Sequence, residues 1–144
     1  MKITIAKPAP GQDNEIIINC HNISPAILDL LNLIKMQESS FVGYLDEKIY
    51  NLFPNDIYYM ETNENKTFIY TKDEVYESKQ RLYEFEEAEI SHFFRVSKSV
   101  VINLSKIKTL MPIQGRRIEA TLKNGERQII SRQYSELLKE KLKL

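Results

Sequence analysis

The dipeptide Asn124-Gly125 constrains this chain more than any other feature. It sits between two short runs, Arg117 to Leu122 and Arg127 to Ile130. Asn-Gly accepts the left-handed backbone that tight β-turns require, so the two runs are expected to pair as an antiparallel hairpin. In the first run Ile118, Ala120 and Leu122 alternate with Arg117, Glu119 and Thr121. That period of two belongs to a strand with one buried face. Similar punctuation recurs upstream. Asp46-Glu47 separates Phe41 to Leu45 from Lys48 to Phe53, and Asn63-Glu64-Asn65 separates Ile57 to Glu61 from Lys66 to Thr71. Both are expected hairpins, with Pro54-Asn55 a break between them. Glu74 to Tyr76 and Ile107 to Ile113 read as further strands, the latter ending at the turn Gln114-Gly115.

Before the first hairpin, Lys2 to Lys7 and Glu15 to Cys20 also read as strands, separated by Pro8-Ala9-Pro10-Gly11. Three segments carry helical signals instead. Ser24-Pro25 supplies a hydroxyl N-cap followed by proline at the first helical position. Ile27, Leu30, Leu31 and Ile34 then share one expected buried face, with the helix ending near Glu38. Ser78 is expected to cap a short helix with Leu82, Phe85 and Ile90 inward and Glu84, Glu86, Glu87 and Glu89 in water. Ser131 is expected to cap a last helix with the apolar stripe Tyr134, Leu137, Leu138 and Leu142. Lys139, Lys141 and Lys143 lie in its final turns, where cations suit the helix dipole. The expected fold class is therefore a β-rich α+β protein of short antiparallel strands.

Several function classes find no support in the residues. No apolar run approaches the roughly 20 residues that span a bilayer, and the alternating Met1 to Ile5 lacks the apolar core of a secretory signal. A single cysteine, Cys20, excludes an internal disulfide framework, fits a reducing cytoplasmic interior, and is expected as a small core residue. The two histidines, His21 and His92, are far apart and neither has a metal-ligand spacing. Motifs for zinc hydrolysis, a nucleophile elbow or a phosphate-cradling glycine loop are missing. The expectation is no enzyme, no catalytic residue, no metal or other cofactor, and no small-molecule substrate.

Equal numbers of basic and acidic residues conceal an asymmetry. Up to Met60 four lysines face seven acids, from Glu61 to Ser91 four bases face nine acids, and from His92 onward twelve Lys and Arg face four Glu. A basic final third points to an anionic partner met by one face; a solvated surface is the plainer alternative.

Within that basic third, His92 to Asn103 reads His-Phe-Phe-Arg-Val-Ser-Lys-Ser-Val-Val-Ile-Asn. Two cations and two hydroxyls, Arg95, Ser97, Lys98 and Ser99, stand between the apolar pair Phe93-Phe94 and the apolar run Val100 to Ile102. The group suits a surface that holds phosphates, and it equally suits a strand ending in a polar turn above a core.

The order of these elements resembles the LytTR-type DNA-binding domain. Asp56 to Glu61 is similar to its opening strand, and Phe94 to Asn103 to its arginine-to-asparagine signature. Ile107 is similar to the isoleucine that begins its next strand. Asn124-Gly125 followed by Ile129-Ile130-Ser131-Arg132-Gln133-Tyr134 is similar to its closing hairpin and Ser-Arg-x-Tyr ending. The likeness spans about Leu45 to Leu142, which divides the chain into an extension at 1–44 and a LytTR-type domain at 45–144. The extension resembles that of small stand-alone members, with strands and one amphipathic helix available for dimerisation. It lacks the acidic phosphoacceptor pattern of a receiver domain.

The resemblance implies a bacterial transcription regulator in which loops between strands, rather than a recognition helix, enter successive major grooves. It places Asn63 to Thr67 at one groove, with Lys66 the donor and Thr67 beside it. Arg95, Ser97, Lys98 and Ser99 form the central contact and Arg132 the third. By residue type, Arg132 can read guanine O6 and N7 in bidentate fashion, while Ser97 and Ser99 suit phosphate oxygens. Arg95 can bind DNA or instead pair with an acid such as Glu61. Asn103, just before Leu104-Ser105-Lys106, suits turn or cap duty. Arg116, Arg117, Lys123 and Arg127 can add to the positive field. The family often has histidine at the position of Ser97, which leaves base preference there open.

Two other readings compete. The helix from Ser24 to Glu38 suits a protein-interaction module or oligomeric regulatory subunit without direct DNA readout. RNA binding would need exposed aromatics for base stacking, whereas Tyr58, Tyr59 and Tyr70 lie in strand patterns. The partners expected are double-stranded DNA, a second copy of the chain, and a regulating membrane protein.

Overall fold

Tight turns dictate the architecture. The computed structural model describes residues 2–38, 41–88 and 92–144. Strands β1 (Phe41–Leu45) and β2 (Lys48–Leu52) meet through Asp46 and Glu47, both at positive φ. Strands β3 (Ile57–Asn63) and β4 (Lys66–Thr71) meet in the same way through Glu64 and Asn65. A two-residue turn with both residues left-handed matches the twist of the strands it joins. Strands β5 (Val75–Ser78), β6 (Phe93–Arg95) and β7 (Val100–Asn103) complete a seven-stranded antiparallel sheet in the order β2-β1-β5-β4-β3-β7-β6. Strands β8 (Ile107–Ile113), β9 (Arg117–Leu122) and β10 (Arg127–Ile130) form a second sheet in the order β10-β9-β8. The Asn124-Gly125 turn joins β9 to β10, with Gly125 at φ 90°.

The large sheet is covered on both faces around β3 and β7. One face packs Met60, Ile69, Tyr76, Phe93 and Val101 against Leu82 and Phe85 of the short helix α2 (Leu82–Glu87). The other packs Tyr59, Val100 and Ile102 against Ile118, Ala120 and Leu122 of the small sheet and Leu138 of the final helix. A β-bulge between Ile57 and Tyr59 reverses the alternation in β3. Ile57 and Met60 therefore share one core while Tyr58 and Tyr59 share the other. Burying both sheet faces explains a strand that reads as an unbroken apolar run.

Asn103, fully buried, ties β7 to the turn before β3. Its Nδ2 donates to Pro54 O (3.1 Å) and Ile57 O (2.8 Å). Its Oδ1 accepts from the Ser105 amide (3.0 Å) and hydroxyl (2.7 Å). This is the cap role expected of it.

Several expectations at the N-terminus fail. A helix runs over Pro25–Glu38 (α1), capped by Ser24 Oγ accepting from the Ile27 amide at 3.4 Å. Lys2 to Lys7 and Glu15 to Cys20 form no strands, and Cys20 is exposed rather than in a core. A strand needs a partner for its amides, and the edge strand β2 pairs only with β1. The expected buried face of α1 is at best half-covered, with Leu30 46% exposed. The sheet begins at Phe41, which is buried, and β1 pairs with β5.

Two caps also differ from expectation. Ser78 is buried at the end of β5, where its Oγ accepts from the Gln80 amide (3.1 Å); α2 starts only after Arg81. Ser131 occupies the N-cap position of α3 (Arg132–Leu142), but its side chain makes no cap bond. In α3 Leu138 is buried and Tyr134 half-buried, while Leu137 and Leu142 are exposed. Ile90 and Glu89, expected on α2, lie outside the described residues.

Candidate nucleic-acid interface

Two backbone hydrogen bonds between distant segments assemble the site. The Thr62 amide, next to the β3–β4 tip, donates to Ser99 O (2.8 Å). The Ser131 amide, just before Arg132, donates to Val96 O (2.9 Å). The loop from Val96 to Ser99 is thus held on one side by the hairpin that carries Lys66 and on the other by the corner that carries Arg132. All three sequence-predicted segments meet along one edge of the molecule.

The loop itself is braced from within. Val96 is fully buried, and its amide donates to Val100 O (3.0 Å). The Arg95 guanidinium turns inward: Nε donates to Ser97 O (2.8 Å), Nη2 to Lys98 O, and Nη1 to a carboxylate oxygen of Glu86 on α2. The acid that pairs with Arg95 is Glu86, not Glu61. A planar fork suits this because it can serve two carbonyls and a carboxylate at once. Ser97 Oγ accepts from the Ser99 amide (3.3 Å). With the backbone occupied inward, Lys98 stands exposed at the loop apex.

Lys66, Lys98 and Arg132 are exposed, and among the described residues none has a carboxylate within ion-pair distance. Thr67 is different: it is buried at 5% exposure and sits opposite Ser78 in the β4–β5 register, beneath the surface that Lys66 presents. Two of the cations expected to add to the field have partners. Arg127 faces Glu119 at 3.8 Å, and Arg117 Nε donates to Gln114 O at 3.1 Å.

Tyr59 of β3 and Tyr70 of β4 lie on the face of the large sheet that packs toward the small sheet. Tyr59 and Tyr70 stack with ring centroids 4.2 Å apart. Burial first, and then the Glu126 carboxylate of the Asn124-Gly125 turn, hold the Tyr59 hydroxyl protonated well above its ordinary range. Burial and Glu61 act in the same direction on Tyr70. These rings are core and inter-sheet contacts rather than an exposed stacking platform.

Two basic residues at this edge, Lys79 and Arg81, were not singled out from the sequence. They belong to the segment in which nine acids outnumber four bases. That average conceals how its acids are used: Glu86 pairs with Arg95, and Glu84 accepts the Arg81 backbone amide.

Known proteins resemble this chain in sequence and in fold. A family profile described as the LytTr DNA-binding domain matches residues 47–143. Regulators from Staphylococcus aureus strains bovine RF122 / ET3-1 and MW2, both described as uncharacterized HTH-type transcriptional regulators, are each 29% identical over 147 residues. Each match spans 100% of this chain and 99% of the relative. The fold is similar to a solved LytTr DNA-binding domain from Bacillus cereus, with a TM-score of 0.71 and 22% identity, over 74% of this chain and 98% of that one. Among the described residues no two helices follow each other in the chain, since strands separate α1, α2 and α3. The candidate surface brings together the β3–β4 tip, the loop after β6 and the start of α3.

Proposed function

The chain belongs to the LytTr DNA-binding domain family, and from that membership we propose that it is a sequence-specific, double-stranded-DNA-binding transcription regulator. The observation that carries the reading is the pair of backbone bonds, Thr62 to Ser99 and Ser131 to Val96, which gather three separate basic segments at one edge. In this reading Lys66 and Lys98 meet phosphate or base edges from neighbouring turns. Ser97 and Ser99 hold phosphate oxygens, and Arg132 reads a guanine with its two-pronged head. Arg95 contributes by shaping the loop, and Thr67 by supporting the strand under Lys66. Two copies on repeated half-sites are part of the proposal. The exposed Ile23, Leu28, Leu30 and Leu33 in and before α1 support a surface for the second copy.

The test is to select duplexes from a random pool with the full chain, then titrate one across a salt series. Binding that weakens steeply as salt rises is expected, because phosphate contacts release counterions. Arg132→Ala should cost about 1–3 kcal/mol, concentrated at one base position. An equal loss on every sequence would remove its base-reading role. Failure of the folded protein to bind any duplex at low salt would remove the regulator reading altogether.

A further inference from the structure

Beside the three expected segments lies an open cleft of about 520 Å³, bounded by the β3–β4 tip, the loop after Arg95 and the β5–α2 connection. Five cations line it, Lys66, Lys79, Arg81, Arg95 and Lys98, with one carboxylate, Glu77. Arg95 is neutralised by Glu86. Among the described residues, the other four have no carboxylate within ion-pair distance. A concavity lined by one sign of charge focuses the field and attracts anions.

The β5–α2 connection is shaped to present its two cations. The buried Ser78 hydroxyl accepts from the Gln80 amide and turns the chain at the strand end. Lys79 Nζ rests 4.8 Å from the Tyr44 ring centroid, which steadies the ammonium while the residue stays exposed. Glu84 accepts the Arg81 amide at 2.5 Å and fixes the start of α2. Among the described residues no ion pair joins Glu84 to the Arg81 guanidinium.

We propose that Lys79 and Arg81 form the outer wall of a phosphate-backbone site, so that one strand of duplex DNA is held in the cleft between them and the Lys66–Lys98 side. This rests on the DNA-binding reading and adds to it a fourth contact segment that grips without reading sequence. Phosphodiester groups suit the site, because the cations converge on it from two walls. The β5–α2 connection then sets how strongly any duplex is held, while Arg132 and the loop apex set which one.

The test compares the full wild-type chain, the Lys79→Ala/Arg81→Ala double variant and the charge-retaining Lys79→Arg/Arg81→Lys variant. Each is titrated with a pool-selected duplex and with a scrambled duplex of equal length, over a range of salt. Loss of two phosphate contacts should lower the salt slope of log K by about 2. Affinity should fall by the same factor on both duplexes, and the charge-retaining variant should keep the wild-type slope. Circular dichroism checks that each variant is folded. An unchanged slope in the folded double-alanine variant overturns the proposal, as does a loss confined to the selected duplex. Should the wild-type chain bind neither duplex, the regulator reading fails first and this site with it.

Discussion

Replacing Arg95 by alanine separates a residue that touches DNA from one that shapes the surface touching it. The guanidinium makes three bonds, to Ser97 O, Lys98 O and Glu86. Hydrogen bonds to charged groups contribute about 1.5–3 kcal/mol each when well shielded. Here the Arg95 side chain is 23% exposed and Glu86 37% exposed, so solvent screens the ion pair. The two carbonyls would also recover water on truncation. A net loss of about 2 kcal/mol follows, equivalent to a melting temperature lower by roughly 5–10 °C for a chain of this size. DNA binding should weaken as well. Freeing the residues from Ser97 to Ser99 restores backbone entropy of about 1–2 kcal/mol per residue, part of which must be removed again on binding. The expected penalty is roughly tenfold to hundredfold in Kd, with the salt slope unchanged. Arg95→Lys should restore little, because an ammonium cannot serve both carbonyls and Glu86 in one plane. Calorimetry and anisotropy titration over a salt series are sufficient. A salt slope lower by about one, with the melting temperature unmoved, would mean that Arg95 contacts a phosphate and that the bracing argument is wrong.

Three further outcomes follow from the packing. Asn103→Ala leaves the carbonyls of Pro54 and Ile57 and the Ser105 amide without their buried partner. Denaturant unfolding should show a loss of about 3 kcal/mol, and a loss below about 1 would mean that water replaces the side chain without cost. Gly43→Ala would place its methyl carbon 2.7 Å from both Leu52 Cδ1 and Tyr76 Cβ. The leucine tip can yield but Tyr76 Cβ is fixed to its strand, so a loss of about 1–3 kcal/mol is expected, and a neutral result would show that β1 and β5 separate easily. Tyr59, Tyr70 and Tyr76 all have hydroxyls held above their ordinary range, chiefly by burial. A raised folded-state pKa gives stability that is whole below the unfolded value near 10 and lost as pH rises beyond it. Unfolding followed by tyrosinate absorbance should therefore show stability falling above about pH 10, and a flat profile there would contradict the burial argument.

Local chemistry was legible because it acts over a few residues. Asn124-Gly125 implies its hairpin through backbone preference alone, and the alternation in Arg117–Leu122 implies which face is buried. The segments around Lys66, the Arg95–Ser99 loop and Arg132 were legible as charged or polar interruptions between apolar runs. Where the reading failed, the deciding partner was distant in sequence or missing. Lys2 to Lys7 and Glu15 to Cys20 have strand-like residues, but β-structure exists only in pairs, and composition cannot supply an edge. The Ser78 hydroxyl, read as a helix cap, is buried at a strand end because β4 lies beside it.

The sequence alone thus determined the short antiparallel elements, the family signature and which polar segments were available to a partner. Tertiary structure decided how those segments are arranged. Glu86 could take Arg95 only because α2 packs beside β6, and Lys79 and Arg81 joined a basic cleft only because β5 lies next to β4. The bonds from Thr62 to Ser99 and from Ser131 to Val96 span 37 and 35 positions. A residue's type declares what it can bond with, but only the closure of long loops determines what lies within reach.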